Sequence, residues 1–295
     1  MEDDVHSFAD PELSPLTLPW AWPGYIPCKC MTTLFGGGGL RKGYAIADIN
    51  ARISRGASMP DGSRGFSGPR SVISITREDL IREGMAWRYR AAGARLDNIF
   101  DYSAPGGTPF KLDEEGVAGV RELAEKINSH KPGTKYEHVP DLGVIYFDPL
   151  MSITPRNVSA NEVYRELVVE PLDDLAFTYE CAVALVNHTT KDGKTMFGSA
   201  AASQGPRMVL KVDRNKRMPR TVRDFYVYKT NITGEHEAPL RYTTEGEGDG
   251  IRVRWMGPEL DAEPEYTVAD KRQAPARTVP VSMSPAEMFR NLNNR

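Results

Sequence analysis

The residues whose types and spacing come nearest to chemistry lie between 35 and 43. Phe35 precedes Gly36, Gly37, Gly38 and Gly39, and Leu40, Arg41, Lys42 and Gly43 follow. Consecutive glycines let backbone N–H groups approach an anion, and a lysine adds charge, so the stretch has ingredients of a phosphate loop. The full pattern asks for Gly, four residues, Gly-Lys and a hydroxyl residue for magnesium. Here Gly43 follows Lys42, and no Ser or Thr stands where the metal would need one. A dinucleotide loop would need a strand before it and a helix opening on its last glycine. Met31–Phe35 is short and polar for that strand. The balance favours a flexible hinge, with an enzyme that binds a phosphorylated ligand at Gly36–Gly43 as an alternative.

Other catalytic patterns are missing. His6, His130, His138, His188 and His236 are scattered, with no HExxH, HxH or Gly-x-Ser-x-Gly among them. Asp173 and Asp174 are adjacent acids better explained by helix capping than by acid–base work. Cys28, Cys30 and Cys181 cannot all pair, and one residue is too short a spacer for an unstrained bridge between the first two. Free thiols in a reducing, cytoplasmic setting are expected. A zinc site would need two ligands beyond Cys28 and Cys30, and only His6 is near. No catalytic residue, metal or cofactor is therefore assigned.

Charge is segregated. Residues 41–95 carry eleven Lys/Arg against five acids, inside a chain of net charge −3. Between 52 and 70, Gly, Ser and Pro predict a loop whose charge is almost all arginine. Arg41, Lys42, Arg52, Arg55, Arg64, Arg70, Arg88 and Arg95 are the candidate nucleic-acid contacts here, with Phe66 available to stack on a base. Arg214, Lys216, Arg217 and Arg220 extend the set at a predicted hairpin tip. Residues 235–270 then reverse the sign, with ten acids against three bases.

The elements that must position these residues form an α+β pattern. Ser71–Ile75 predicts a strand, after which Thr76 caps a helix whose stripe is Ile81, Met85, Ala92, Leu96 and Ile99. Asp113 caps a second helix, with Val117, Val120, Ala124 and Ile127 inward and Pro132-Gly133 beyond its end. Val144–Phe147 is a buried strand. Ser159 and Glu162 open a helix that Pro171 ends, and the spacing from Leu172 to Val186 favours helix over strand. Lys191-Asp192-Gly193-Lys194 is a hairpin turn. Runs at 208–212, 222–228, 240–243 and 251–255 predict antiparallel strands.

Both ends predict extended arms. Pro11, Pro15, Pro19, Pro23 and Pro27 forbid a regular helix or central strand. Leu16, Leu18, Trp20, Trp22 and Tyr25 are costly to leave in water and want a groove, on the chain's own body or on a neighbour. Residues 257–295 form a second arm, ending in a short helix with Met288, Phe289 and Leu292. The expected division is an arm and hinge over 1–43, a helix-rich body over 44–187, an antiparallel β region over 188–256 and the arm over 257–295. No stretch is apolar enough to span a membrane.

In its length, its proline, alanine and serine bias and its Ala-Pro-rich tail at 274–285, the chain resembles the proline-, alanine- and serine-rich proteins that coat the double-stranded RNA of fungal polymycoviruses. That resemblance implies a viral coat protein, not an enzyme, which self-associates through its arms as a homo-oligomer and binds RNA through arginine loops. A capsid or scaffold protein without nucleic-acid contact is the alternative from composition alone.

Overall fold

A computed structural model describes residues 18–77, 84–102, 108–190, 195–234 and 238–256. The α+β expectation holds: helices pack on one large mixed sheet. A small antiparallel pair, β1 (Trp20–Trp22) and β2 (Ile26–Pro27), leads into β3 (Met31–Gly36) and α1 (Lys42–Arg55). Then come β4 (Ser71–Thr76), α2 (Ala86–Ala91), β5 (Ile99–Asp101), α3 (Glu114–Asn128) and β6 (Leu142–Asp148). The short helices α4 (Leu150–Ile153) and α5 (Asn161–Tyr164) precede α6 (Glu170–Thr178) and β7 (Ala182–His188). After α7 (Ala201–Gln204) the chain closes with β8 (Met208–Arg214), β9 (Arg223–Thr230), β10 (Leu240–Glu245) and β11 (Arg252–Met256).

Nine strands share one sheet in the order β11-β10-β9-β8-β3-β7-β6-β4-β5. The half from β8 through β3 to β5 is parallel, and β8 to β11 form an antiparallel meander. Parallel strands joined by helices must be covered on both faces. Alternate residues of β6 and β7 accordingly enter two cores. Ile145, Phe147, Val183 and Leu185 pack with α3 and α6, whereas Val144, Tyr146, Ala184 and Val186 pack with α1.

Several expected elements hold. Asp113 caps α3 by accepting a hydrogen bond from the Gly116 N–H, and Val120, Ala124 and Ile127 are fully buried. The four antiparallel strands lie where expected. Other expectations change. Thr76 is the buried last residue of β4; 78–83, where the capped helix would open, lie outside the described residues, and α2 stops at Ala91 before the left-handed Gly93. Leu96 and Ile99 therefore do not extend its stripe. Pro171 does not end the helix that precedes it. A π turn over Arg165–Val169 shifts the register by one residue and places Pro171 in the first turn of α6, where its missing N–H costs little. The helix and strand readings after Leu172 both apply, one after the other, with a left-handed Glu180 between them. The turn at 191–194 lies outside the described residues, flanked by a bridge between Thr189 and Met196.

Trp22 and Tyr25 are buried on the chain's own body. The Trp22 ring stacks on Tyr25 at 4.3 Å and on Phe225 at 5.4 Å, with Trp255 edge-on at 5.9 Å. Trp20 is half-buried against the same core, and Leu18 is half-buried. Leu16, Met288, Phe289 and Leu292 lie outside the described residues. Cys28, Cys30 and Cys181 are buried free thiols, and burial pushes the first two up to about 12. Among the described residues no group of side chains has the makings of a metal site, and no helix is long and apolar enough to cross a membrane.

Candidate functional site

The threonines at 32 and 33 that make Met31–Phe35 look polar are buried, at 1% and 0% exposure. β3 is a central strand, paired in parallel with β7 on one side and β8 on the other. Threonine is β-branched and suits such a strand. The chain passes from β3 through α1 to β4, beyond β7 and β6, so the strand order reverses at β3. Ligands of open α/β sheets sit outside the carboxyl ends of strands at such a point.

Register brings four strand ends to that edge. Gly36 pairs with His188, Phe147 with Leu185 and Thr76 with Asp148. A cleft of about 190 Å³ opens there, lined by the loop from Gly39 to Tyr44 with Arg88, Asp148 and His188. The Gly36–Gly43 stretch is thus a strand-to-helix loop and not a hinge. Gly36 is required by close approach: a Cβ there would stand 2.4 Å from the Val212 carbonyl oxygen. Lys42 is only 6% exposed, and its Nζ donates to the carbonyls of Gly36 at 2.8 Å and Gly37 at 3.1 Å. The loop folds around the ammonium. No side chain caps α1; the Tyr44 and Ala45 N–H groups donate to the Arg41 carbonyl, and residues 41–44 at the positive dipole end of α1 line the cleft.

Gly36, four residues, then Arg41-Lys42-Gly43 is a P-loop frame with two replacements. Arg41 stands in place of the second glycine and adopts the left-handed conformation, φ 63° and ψ 28°, that glycine takes freely. That costs about 1–2 kcal/mol, and the contact of its guanidinium with the Tyr44 ring, 5.5 Å from the centroid, offsets part of it. Gly43 stands in place of the hydroxyl residue. A Cβ at 43 would lie 2.8 Å from Arg88 Nη1 and 3.7 Å from Asp148 Oδ2. Asp148 ends β6, the expected buried strand, and its Oδ2 accepts a 2.7 Å hydrogen bond from the Tyr146 hydroxyl. Burial and the Asp148 charge raise the Tyr146 pKa, so it remains a donor. Magnesium held between a hydroxyl at 43 and this carboxylate does not fit the residues present, because Gly43 offers no oxygen and a guanidinium fills the space.

Of the expected nucleic-acid contacts, three enter this site: Arg41, Lys42 and Arg88. Three others hold the fold together. Arg52 pairs with Asp48 at 2.7 Å, Arg55 donates to the Ala92 and Gly93 carbonyls at the end of α2, and Arg70 pairs with Asp141 at 2.7 Å. Phe66, expected to stack on a base, lies under the Arg70 guanidinium. Arg64, Arg95, Arg214, Lys216, Arg217 and Arg220 are exposed and apart from the cleft lining. Asp148 and His188 are site residues that sequence reasoning did not single out. The signal for Asp148 was a run of apolar residues closed by an acid, LGVIYFD; His188 has no comparable signal.

A family model described as AAA domain matches residues 3–194. No curated protein matches the chain. The family match spans the loop, Asp148 and His188, and it points to a P-loop ATPase type of protein. It overturns the viral coat protein expectation, the capsid and RNA-coating description that went with it, and the reading of the chain as no enzyme. Because that match covers well over half of the sequence, the chain belongs to the AAA domain family.

Proposed function

We propose that the protein binds a nucleoside triphosphate at the Gly36–Gly43 loop and hydrolyses it. The observation that carries this reading is Lys42, held by the Gly36 and Gly37 carbonyls at the mouth of α1. Backbone N–H groups of the loop would cradle the α and β phosphates, and Lys42 would neutralise the β and γ phosphates. His188, at the end of the adjacent β7 and in the cleft lining, would contact the terminal phosphate. Phosphoryl transfer needs positioning and charge stabilisation more than covalent chemistry, and a cleft with three cations and an oriented carboxylate is suited to it.

The test is titration of a fluorescent ATP analogue into the wild type and Lys42→Met, which keeps the side-chain volume, alongside phosphate release. Losing one charged hydrogen-bond donor costs about 1.5–3 kcal/mol, so the affinity should fall about tenfold to a hundredfold, and phosphate release should stop. A wild type that binds no nucleotide, or a Lys42→Met protein that binds equally well, overturns the reading.

A further inference from the structure

We propose that Arg88 replaces the magnesium arm of this P-loop, its guanidinium supplying in the same chain the positive charge for the β and γ phosphates, so that nucleotide binding does not require a divalent cation. The inference rests on the nucleotide-binding reading above and goes beyond it by assigning the counter-ion.

Space at position 43 is the first constraint. The position a side chain there would occupy lies 2.8 Å from Arg88 Nη1 and 3.8 Å from its guanidinium carbon. A hydroxyl residue at 43 would require the Arg88 guanidinium to move from this place. Gly43 is the partner that makes room.

Arg88 is also held. Its guanidinium carbon lies 4.5 Å from the centroid of the Tyr44 ring, and Nη1 lies 3.4 Å from the Met85 sulfur. Tyr44 belongs to α1 and Met85 is buried just before α2, so both helices fix the guanidinium at the loop. A guanidinium offers a planar fork that matches phosphate oxygens bidentately and stays charged at any physiological pH.

Asp148 then has a different task. In P-loop proteins the strand-end carboxylate helps to hold magnesium. Here its Oδ2 lies within 4 Å of the same point as Arg88 and is oriented by the Tyr146 hydroxyl. It faces a fixed cation of this chain and acts as a positioning residue for Arg88.

The experiment is the same fluorescent ATP titration, run in magnesium and in EDTA, on the wild type, Arg88→Gln and the double variant Gly43→Ser with Arg88→Ala. Wild-type affinity should agree within about threefold between the two conditions. Arg88→Gln should lose about tenfold or more in EDTA, equivalent to about 1.4 kcal/mol. The double variant regains the hydroxyl and should bind only with magnesium. A wild type that binds in magnesium and not in EDTA overturns the inference and leaves the P-loop reading standing. Binding in neither condition overturns both. Thermal melts with and without nucleotide check that each variant is folded, and the wild-type comparison decides the matter even if a variant is not.

Discussion

Tyr242 lies 202 residues from Leu40, yet its hydroxyl donates a 2.9 Å hydrogen bond to the Leu40 carbonyl inside the P-loop. Its ring is fully buried and 5.2 Å from Trp255, whose Nε1 donates to Asp48 of α1 at 2.8 Å. Burial raises the phenol's pKa further above its ordinary value, so the group is a donor throughout the working range. Tyr242→Phe removes only the hydroxyl. The ring packing survives, and a nearly buried carbonyl loses its donor, which costs about 1–3 kcal/mol. For a chain of this size each kcal/mol shifts the melting midpoint by about 2–4 °C. If half of a loss of about 1.5 kcal/mol comes from ordering of the loop, nucleotide affinity falls about threefold. Urea unfolding and the fluorescent ATP titration read the two effects separately. Tyr228→Phe, at an exposed tyrosine, is the control and should change neither. An unchanged urea midpoint and an unchanged Kd in Tyr242→Phe would refute the claim that the meander braces the loop.

Two further outcomes are expected. Asp141 is held below the usual carboxylate range, chiefly by its 2.8 Å hydrogen bond with His130 and also by Arg70. A depressed carboxylate stabilises the fold above its unfolded value of 3.8 and loses that contribution as pH falls through the folded value. Asp141→Asn should therefore be less stable than wild type at about pH 7 by under about 1 kcal/mol, since the side chain is half exposed. The gap should close by about pH 2 in urea titrations, and a gap that persists would sink the ion-pair account. RNA as a partner stays a proposal, and it rests on the exposed hairpin residues Arg214, Lys216, Arg217 and Arg220. Replacing the four with Ser should weaken RNA binding in gel shifts and flatten the salt slope by roughly 0.7–0.9 for each phosphate no longer neutralised, while Arg52→Ala and Arg55→Ala lower the melting midpoint instead. Unaltered RNA binding in the fourfold variant removes that surface from consideration.

A helix with one wet face was legible in the sequence, and a helix buried on nearly every side was not, whereas the buried strands β4 and β6 showed in their apolar, β-branched runs. α3 shows a clean stripe and a capping aspartate because its outer face meets solvent. β11 shows alternation for the same reason. α1 gave no such pattern because it is wedged between the sheet, α2 and β11, burying Asp48, Asn50 and Ser54 along with its apolar residues. Their partners explain that burial: Asp48 meets Arg52 and Trp255, Asn50 meets Tyr89, and the Ser54 backbone accepts from Asn98. Sequence spacing found the phosphate loop but weighed the missing hydroxyl as evidence against it. What compensates for that hydroxyl comes from Arg88, 45 positions away from Gly43, and no local motif could bring the two together.

The antiparallel half has a physical task for the parallel half. β8 pairs directly with β3, and its Val212 carbonyl closes on the Gly36 backbone so tightly that only glycine fits. β10 supplies Tyr242 to the loop and β11 supplies Trp255 to α1, so three meander strands touch the strand, loop and helix that make the site. A P-loop with arginine at its second glycine position carries backbone strain that must be held by its surroundings. The bond from Tyr242 to the carbonyl immediately before Arg41 is the one best placed to hold it. Arg41→Gly should therefore lessen the cost of Tyr242→Phe. The double variant should lose less stability than the two single effects predict by addition, because the strain that the brace restrains is removed.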